Sequence, residues 1–367
     1  LYIKIMNNEN QTIHKSDDNL TIYGWNEKLN QLKQESIYSA LAHGRVSIVH
    51  RTCYEVISGN GLFQCELTGN MMYGKSDDEL PCTGDWVIFQ PFDEHKGIIV
   101  DSLPRERTLY RKKSGTVADK QAIASYVDKA FIVQSLDDNF NVRRVERFMV
   151  QIMEENISSV LVLNKADLDF DRQSVEEQIK HISSQIPVFF TSIHQPETIV
   201  RLRKYISEGE TVVFVGSSGV GKSSLVNALC EKSVLLTSDI SLSTGKGRHT
   251  STRREMVLMD GSGVLIDTPG VREFGLAIDN PDSLTEMFEI SDYAESCRFS
   301  DCKHIDEPGC AVLEAVHNGT LDHKVYESYL KLKREAWHFS ASEHEKRKKE
   351  KSFTKLVEEV KKRKANF

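Results

Sequence analysis

The sequence predicts a multidomain chain: a small all-β barrel, then an α/β unit built on a mainly parallel sheet, then a mainly helical unit that carries a Cys/His knuckle. Three observations predict this. Short apolar runs punctuated by glycine fill residues 36–104. From Lys129 onward, strand-like apolar runs alternate with helical segments. After Arg272 the strand signal stops, and Cys297, Cys302, His304 and Cys310 crowd into one short stretch.

The barrel is read from about five short strands separated by turn residues: Gly44–Val49, Tyr54–Ile57, Leu62–Leu67, Trp86–Phe89 and Gly97–Val100. Residues 1–35 are polar and Asn-rich, with little periodicity, and read as an extension. Arg105 to Lys113 is basic and poor in apolar residues, which reads as a linker. The α/β unit is read from Lys129–Gln134, Val160–Leu163, Pro187–Phe190, Thr211–Val215 and Gly263–Ile266. Such alternation argues for parallel strands covered by helices. Residues 280–340 look helical, and His344 to Lys364 is strongly charged. The expected units are 1–35 (extension), 36–108 (barrel), 109–278 (α/β) and 279–367 (helical, with a basic tail).

Composition narrows the class. Apolar residues are 39% and charged residues 28%, the balance of an ordinary soluble globular protein. No apolar run approaches the length of a bilayer span. Leu1 to Asn10 lacks the charged start, apolar block and small-residue site of a secretory leader, so cytoplasm is the expected compartment and no membrane partner is expected. The net charge of −7 argues against a uniformly basic nucleic-acid binder but leaves local basic patches open. Seven cysteines, an odd number, speak against a disulfide framework. No coiled-coil seam is visible, and a monomer is expected.

Gly216-Ser217-Ser218-Gly219-Val220-Gly221-Lys222-Ser223 fits the phosphate-loop pattern G-x-x-x-x-G-K-[ST], between a strand-like run and the helix-like Ser224–Leu229. Its glycines let the backbone curl so that N–H groups point at phosphate oxygens, and the following helix N-terminus favours the anion. Lys222 is expected on the β- and γ-phosphates and the Ser223 hydroxyl on Mg²⁺. The bland alternative is a glycine-rich turn.

Asn164-Lys165-Ala166-Asp167 follows a strand, at the end where open α/β sheets bind nucleotides. A carboxylate there can accept from guanine N1–H and its amino group, a pair adenine does not offer. Lys165 can lie over the base and Asn164 can tie the turn to the phosphate loop. The alternative is a helix start with Asp167 as its cap. Thr191-Ser192 resembles, weakly, a loop that donates to guanine O6. Asp267-Thr268-Pro269-Gly270 ends another strand, with Asp267 expected near Mg²⁺ and the Gly270 N–H at the γ-phosphate.

The motif order is base reader, second base loop, phosphate loop, Mg²⁺ loop. Ordinary GTPases place the phosphate loop first, so this order describes a circular permutation. Its mechanical consequence is that the Mg²⁺ loop leads straight into the C-terminal unit. Between phosphate and Mg²⁺ loops lies Ser243–Arg254, rich in glycine, cations and hydroxyls. One hydroxyl there is expected on Mg²⁺, Thr250 before Thr252, and spacing does not decide between them. Where many GTPases carry a water-orienting Gln, this chain has Val271, so His249 is the candidate catalytic group, with a solvated loop histidine as the alternative.

Cys297-x₄-Cys302-x-His304-x₅-Cys310 offers three thiolates and an imidazole, which suits one closed, structural, tetrahedral Zn²⁺. The alternative is unrelated buried cysteines beside a surface histidine.

Together these motifs resemble the RsgA (YjeQ) family of circularly permuted ribosome-assembly GTPases: N-K-A-D before G-S-S-G-V-G-K-S-S, then G-R-H-T-S-T, D-T-P-G and the knuckle. The resemblance implies an N-terminal OB-fold, a central P-loop GTPase domain and a C-terminal zinc domain. It also implies binding to the small ribosomal subunit and its rRNA, help in late maturation of that subunit, GTP hydrolysis stimulated by it, and His249 as the catalytic histidine. Ser251 stands where a third threonine is common in the family. Basic residues of the tail, among them Lys346, Arg347 and Lys348, and the cluster at Arg105, Arg107 and Arg111, offer phosphate contacts. Two other readings compete: a GTP-regulated RNA-binding scaffold with incidental hydrolysis, and a redox-sensing zinc protein.

Overall fold

A computed structural model describes residues 18–76, 78–112, 120–231, 254–267 and 282–340. The N-terminal part opens with α1 (Asp18–Thr21) and α2 (Glu27–Glu35), followed by β1 (Ala42–Val49), β2 (Tyr54–Ser58), β3 (Gly61–Leu67), α3 (Gly69–Gly74), β4 (Trp86–Asp93) and β5 (Lys96–Ser102). The five strands join in the order β1-β2-β3-β5-β4, and β4 pairs back onto β1, so the sheet closes into a barrel. The strand alternation explains the closure: β2 and β3 bury every second residue, and Val56, Phe63 and Cys65 meet Val46, Val87, Phe89 and Ile99 inside.

Two stretches depart from the sequence reading. Residues 18–35 are not a loose extension. Leu20, Trp25 and Leu29 are buried and pack on Trp86, Ile88, Leu103 and Tyr126, while Asn26 caps α2 by accepting the Leu29 N–H at 3.1 Å. Three apolar anchors in a polar stretch are too sparse to register as periodicity. The expected linker also holds a strand, β6 (Leu109–Lys112), which pairs antiparallel with β7 (Lys120–Ala124). Before it, Arg105 donates to both carboxylate oxygens of the fully buried Asp85 at 3.0 Å. That contact makes the segment part of the packed structure.

The central unit comprises β8 (Lys129–Ser135), α4 (Val142–Glu154), β9 (Ser158–Asn164), α5 (Arg172–Gln178), α6 (Lys180–Ser183), β10 (Val188–Thr191), α7 (Pro196–Arg203), β11 (Thr211–Val215), α8 (Lys222–Cys230), β12 (Glu255–Leu258) and β13 (Val264–Asp267). The strand order is β10-β9-β8-β11-β13-β12. All pairs are parallel except β12–β13. Strands β8, β9 and β11 are buried almost end to end, as a sheet covered on both faces requires. The chain lays down β8, β9 and β10 outward in one direction and then returns to place β11 on the other side of β8. The C-terminal ends of β8 and β11 therefore flank a topological switch point, where open α/β sheets form their binding crevice. Edge strand β12, absent from the sequence reading, also meets the barrel, with Glu255 opposite Ile48 of β1.

The C-terminal helices are α9 (Asp282–Met287), α10 (Ser291–Ala294), α11 (Ala311–His317) and α12 (His323–Ser340). Leu284, Met287, Phe288, Tyr329 and Leu332 share one core with Val145 and Met149 of α4, and Arg147 of α4 pairs with Glu335 at 2.8 Å. Each fully buried large apolar side chain at that seam contributes on the order of 1.5–3 kcal/mol. No helix among the described residues is long and apolar enough to cross a membrane.

Candidate nucleotide and metal sites

Parallel strands all point their C-terminal ends to one edge of the sheet. Asn164 ends β9, Thr191 ends β10, Gly216 follows β11 and Asp267 ends β13. Motifs far apart in the chain therefore converge there.

The phosphate-loop segment is shaped by its glycines. A Cβ on Gly216, at φ 151°, would lie 2.4 Å from the Val133 carbonyl oxygen of β8. Gly221 caps α8 in the left-handed region at φ 89°, and a Cβ there would lie 2.4 Å from Asn164 Nδ2. Ser217, Ser218, Gly219 and Val220 form the turn between them, and Lys222, Ser223 and Ser224 open α8. The Lys222 ammonium donates to the loop's own carbonyls, Gly216 O at 2.8 Å and Ser217 O at 2.7 Å. The loop thus already gathers its cation at the helix N-terminus, the electropositive end.

Asn164 joins the two motifs. Its Nδ2 donates to Val220 O at 2.9 Å, and its Oδ1 accepts from Thr191 Oγ1 at 3.2 Å. The next residue, Lys165, is in the left-handed region at φ 61°, uncommon for a residue with a side chain, and this turns Ala166 so that its N–H donates to Thr191 O at 3.0 Å. Asp167 is exposed, and its Oδ1 accepts from Ser192 Oγ at 2.5 Å. That hydrogen bond outweighs the opposing effect of burial and holds the Asp167 carboxyl below the usual carboxylate range. Ser192 itself is fully buried, and its N–H donates to Thr198 Oγ1 at 3.1 Å.

The sequence reading missed the end of β8. Lys165 Nζ pairs with Asp137 Oδ2 at 2.7 Å, and Asp137 Oδ1 accepts from Ser135 Oγ at 2.6 Å and from the Asn139 N–H at 3.0 Å. Burial pushes the Asp137 carboxyl up, but the Lys165 and Ser135 bonds outweigh it and the net direction is down. Asn139 and Arg144 both reach Ser217 Oγ, at 3.2 and 2.9 Å. The signal that could have found them is positional: Asp137-Asp138-Asn139 is a polar run at the C-terminal end of a buried strand. Asp267 is buried. His249, Thr250, Thr252, Gly270, Val271 and the basic tail lie outside the described residues.

In the C-terminal unit the ligand atoms of Cys297, Cys302, His304 and Cys310 lie within 4.8 Å of one another. Cys297 Sγ and Cys310 Sγ are 3.9 Å apart, close to the roughly 3.8 Å edge of a tetrahedron with metal–sulfur bonds of about 2.3 Å. His304 Nδ1 lies 3.6 and 3.5 Å from the same two sulfurs. The donor set and its spacing fit one four-coordinate metal with no open position. Burial, aided by the Lys333 charge, holds the His304 pKa below the usual imidazole range, which favours the neutral ring a ligand must be. Glu307, not singled out in the sequence, shapes the intervening turn: its carboxylate accepts the N–H groups of Ile305 and Lys303 at 2.9 Å and of Asp306 at 3.2 Å, which draws its pKa down to about 2. The Tyr326 hydroxyl, from α12, donates to His304 O at 2.5 Å and fixes the knuckle to the helix.

Comparison with known proteins gives a consistent result. A family model described as RsgA GTPase matches residues 102–277, and one described as 50S ribosome-binding GTPase matches residues 211–364. The small ribosomal subunit biogenesis GTPase RsgA 1 of Bacteroides thetaiotaomicron is 80% identical over 362 residues, covering 99% of this chain and 100% of that protein. The RsgA protein of Methanosarcina acetivorans is 38% identical over 89% of each chain. The crystal structure of YjeQ from Thermotoga maritima superposes with a TM-score of 0.62 at 27% identity, over 80% of this chain and 98% of that one. YloQ, described as a circularly permuted GTPase, shares the fold with the same TM-score, 0.62, at 22% identity, over 84% of this chain and 99% of that one. With a full-length relative at this identity, and with the Asn164–Asp167 turn preceding the Gly216–Ser224 loop in the chain yet bonded to it in the fold, the chain belongs to the RsgA GTPase family.

Proposed function

We propose that this chain binds GTP across the Asn164–Asp167 turn and the Gly216–Ser224 loop, hydrolyses it to GDP and phosphate, and does so on the small ribosomal subunit during that subunit's late maturation. The observation that supports the nucleotide reading is the Asn164–Val220 bond, which ties the Asn164–Asp167 turn to the Gly216–Ser224 loop at one edge of the sheet. The subunit reading rests on the full-length relative, whose name specifies the small subunit. The broader family description names the 50S particle, but it matches only residues 211–364 and spans less of the chain.

In this reading Asp167 accepts from guanine N1–H and its amino group, Lys165 covers the base, and Ala166, Thr191 and Ser192 line the base loops. The N–H groups of Ser217, Ser218, Gly219, Val220 and Gly221 surround the phosphates, and Lys222 exchanges its bonds to Gly216 O and Ser217 O for phosphate oxygens. Ser223 and Asp267 are hard oxygen donors that would hold Mg²⁺ together with Thr250. Bound there, the ion would neutralise charge on the phosphates. The Gly270 N–H meets the γ-phosphate, and His249 orients the attacking water, because Val271 has no group to do so. Zn²⁺ is the metal we assign to the knuckle, in a structural role, since all four positions are filled by protein. The partner is the subunit's rRNA, met by a monomer in the cytoplasm.

GTP turnover by the full chain, with and without purified small subunits, tests the proposal. Stimulation by small subunits is expected. No stimulation, or equal stimulation by large subunits, would refute the subunit reading. The scaffold alternative predicts instead that a hydrolysis-blocked chain is released normally from mature subunits.

A further inference from the structure

The phosphate loop is held from its outer side by two residues that belong to none of the nucleotide motifs. Arg144, in the first turn of α4, donates from Nη1 to Ser217 Oγ at 2.9 Å and to Asn139 at Oδ1 (3.0 Å) and O (3.3 Å). Asn139 donates from Nδ2 to the same Ser217 hydroxyl at 3.2 Å and to Ser218 O at 3.5 Å. A hydroxyl oxygen accepts two hydrogen bonds. Arg144 and Asn139 fill both positions on Ser217, so the orientation of that side chain is fully specified.

Asn139 is in turn held by Asp137, which accepts its N–H at 3.0 Å and pairs with Lys165 at 2.7 Å. A continuous polar path thus runs from Lys165 of the base-reading turn, through Asp137 and Asn139, to Ser217 and Ser218 of the phosphate loop. Asn164 forms a second, separate tie to Val220, at the other limb of the loop. A loop with three glycines at positive φ loses much conformational freedom on closing around phosphate. Contacts that order it beforehand lower that loss.

We propose that Arg144 and Asn139 are positioning residues for GTP and GDP: they pre-order the Ser217–Ser218 limb of the phosphate loop and couple it to the base-reading turn. They touch the loop and not the nucleotide. The inference rests on the nucleotide reading given above.

The test measures release of fluorescent GDP and GTP analogues, and GTP turnover, on the full chain. Arg144→Ala removes a charge-assisted bond from a partly exposed site, and about tenfold faster release of both nucleotides is expected. The loss falls on KM for GTP, with kcat kept within about twofold. Ser217→Ala removes the acceptor shared by Arg144 and Asn139 and is expected to raise release at least as much. The double variant is expected to fall short of the product of the two single effects, because both single variants lose the Arg144–Ser217 bond. Release at the parent rate in Arg144→Ala, or effects that multiply in the double variant, would overturn the proposal. If Arg144→Ala fails to fold, Ser217→Ala and Asn139→Ala, each a small change, carry the same comparison. A parent chain that holds neither nucleotide refutes the nucleotide reading itself. A parent that binds both, with unchanged variants, refutes the positioning role alone.

Discussion

Asn164→Ala is the sharpest test of how the site is assembled. The side chain is 3% exposed and bonded on both ends, donating to Val220 O at 2.9 Å and accepting from Thr191 Oγ1 at 3.2 Å. Val220 and Thr191 are themselves fully buried. Truncation therefore strips a carbonyl and a hydroxyl of their partner where water reaches them poorly. An orphaned buried polar group costs about 1–3 kcal/mol, so two such groups suggest about 2–4 kcal/mol once a water is allowed to fill part of the gap. Some of this loss falls on stability and the rest on nucleotide affinity, because the bond is one of two ties that hold the Asn164–Asp167 turn and the Gly216–Ser224 loop in register. Calorimetric GDP titration together with thermal unfolding reads both parts. We expect GDP affinity to fall at least about tenfold, and the melting temperature to fall by several degrees. Asn164→Asp is the control: it keeps an acceptor for Thr191 but sets a carboxylate oxygen against the Val220 carbonyl, and it is expected to be no better than Ala. Affinity within about threefold of the parent, with unchanged melting, would show that the Asn164 bonds do not hold the two segments together.

Asp167→Asn exchanges two acceptors for one acceptor and one donor, so GTP binding is expected to weaken by about a hundredfold while xanthosine triphosphate, whose C2 oxygen accepts, binds better; equal loss on both nucleotides would remove Asp167 from base reading. Cys302→Ser should lower bound zinc from one ion to none per chain by elemental analysis and loosen the contact of His304 O with Tyr326 on α12; an unchanged zinc content would exclude the knuckle as the site. Asp137 has its carboxyl held below its ordinary value of 3.8, so the stability it contributes is fully present above that value and disappears as pH falls through the lower folded value. Asp137→Asn should therefore lower stability at neutral pH and flatten the acid limb of the stability curve, and an acid limb identical to the parent's would show that the Lys165 pair contributes nothing.

Much of the architecture was legible because its signals are local. The turn between β11 and α8 shows in the sequence through glycines whose spacing the turn demands, and Gly221 sits at φ 89°. The barrel strands showed through alternation, and the buried parallel strands through unbroken apolar runs. The helices at 18–35 escaped notice because Leu20, Trp25 and Leu29 gain their stabilisation from Trp86 and Tyr126, far along the chain. β12 and β6 escaped because each is short and becomes a strand only when a partner supplies its hydrogen bonds.

Local sequence sufficed to show that a carboxylate, a lysine and hydroxyls lie at or just after strand ends, as the proposed GTP site needs, and that three thiols and an imidazole crowd one short stretch of the C-terminal unit. It also determined their order, and with it the permutation. That β11 returns to lie beside β8, and so brings the Gly216–Ser224 loop next to the end of β8, follows from the packing of the whole sheet. Only the tertiary structure decided that Asn164 meets Val220 across 56 residues and that Arg144 meets Ser217 across 73. Turn chemistry and hydrophobic period act between near neighbours in the chain, whereas strand order and side-chain pairing are settled by which buried faces pack together.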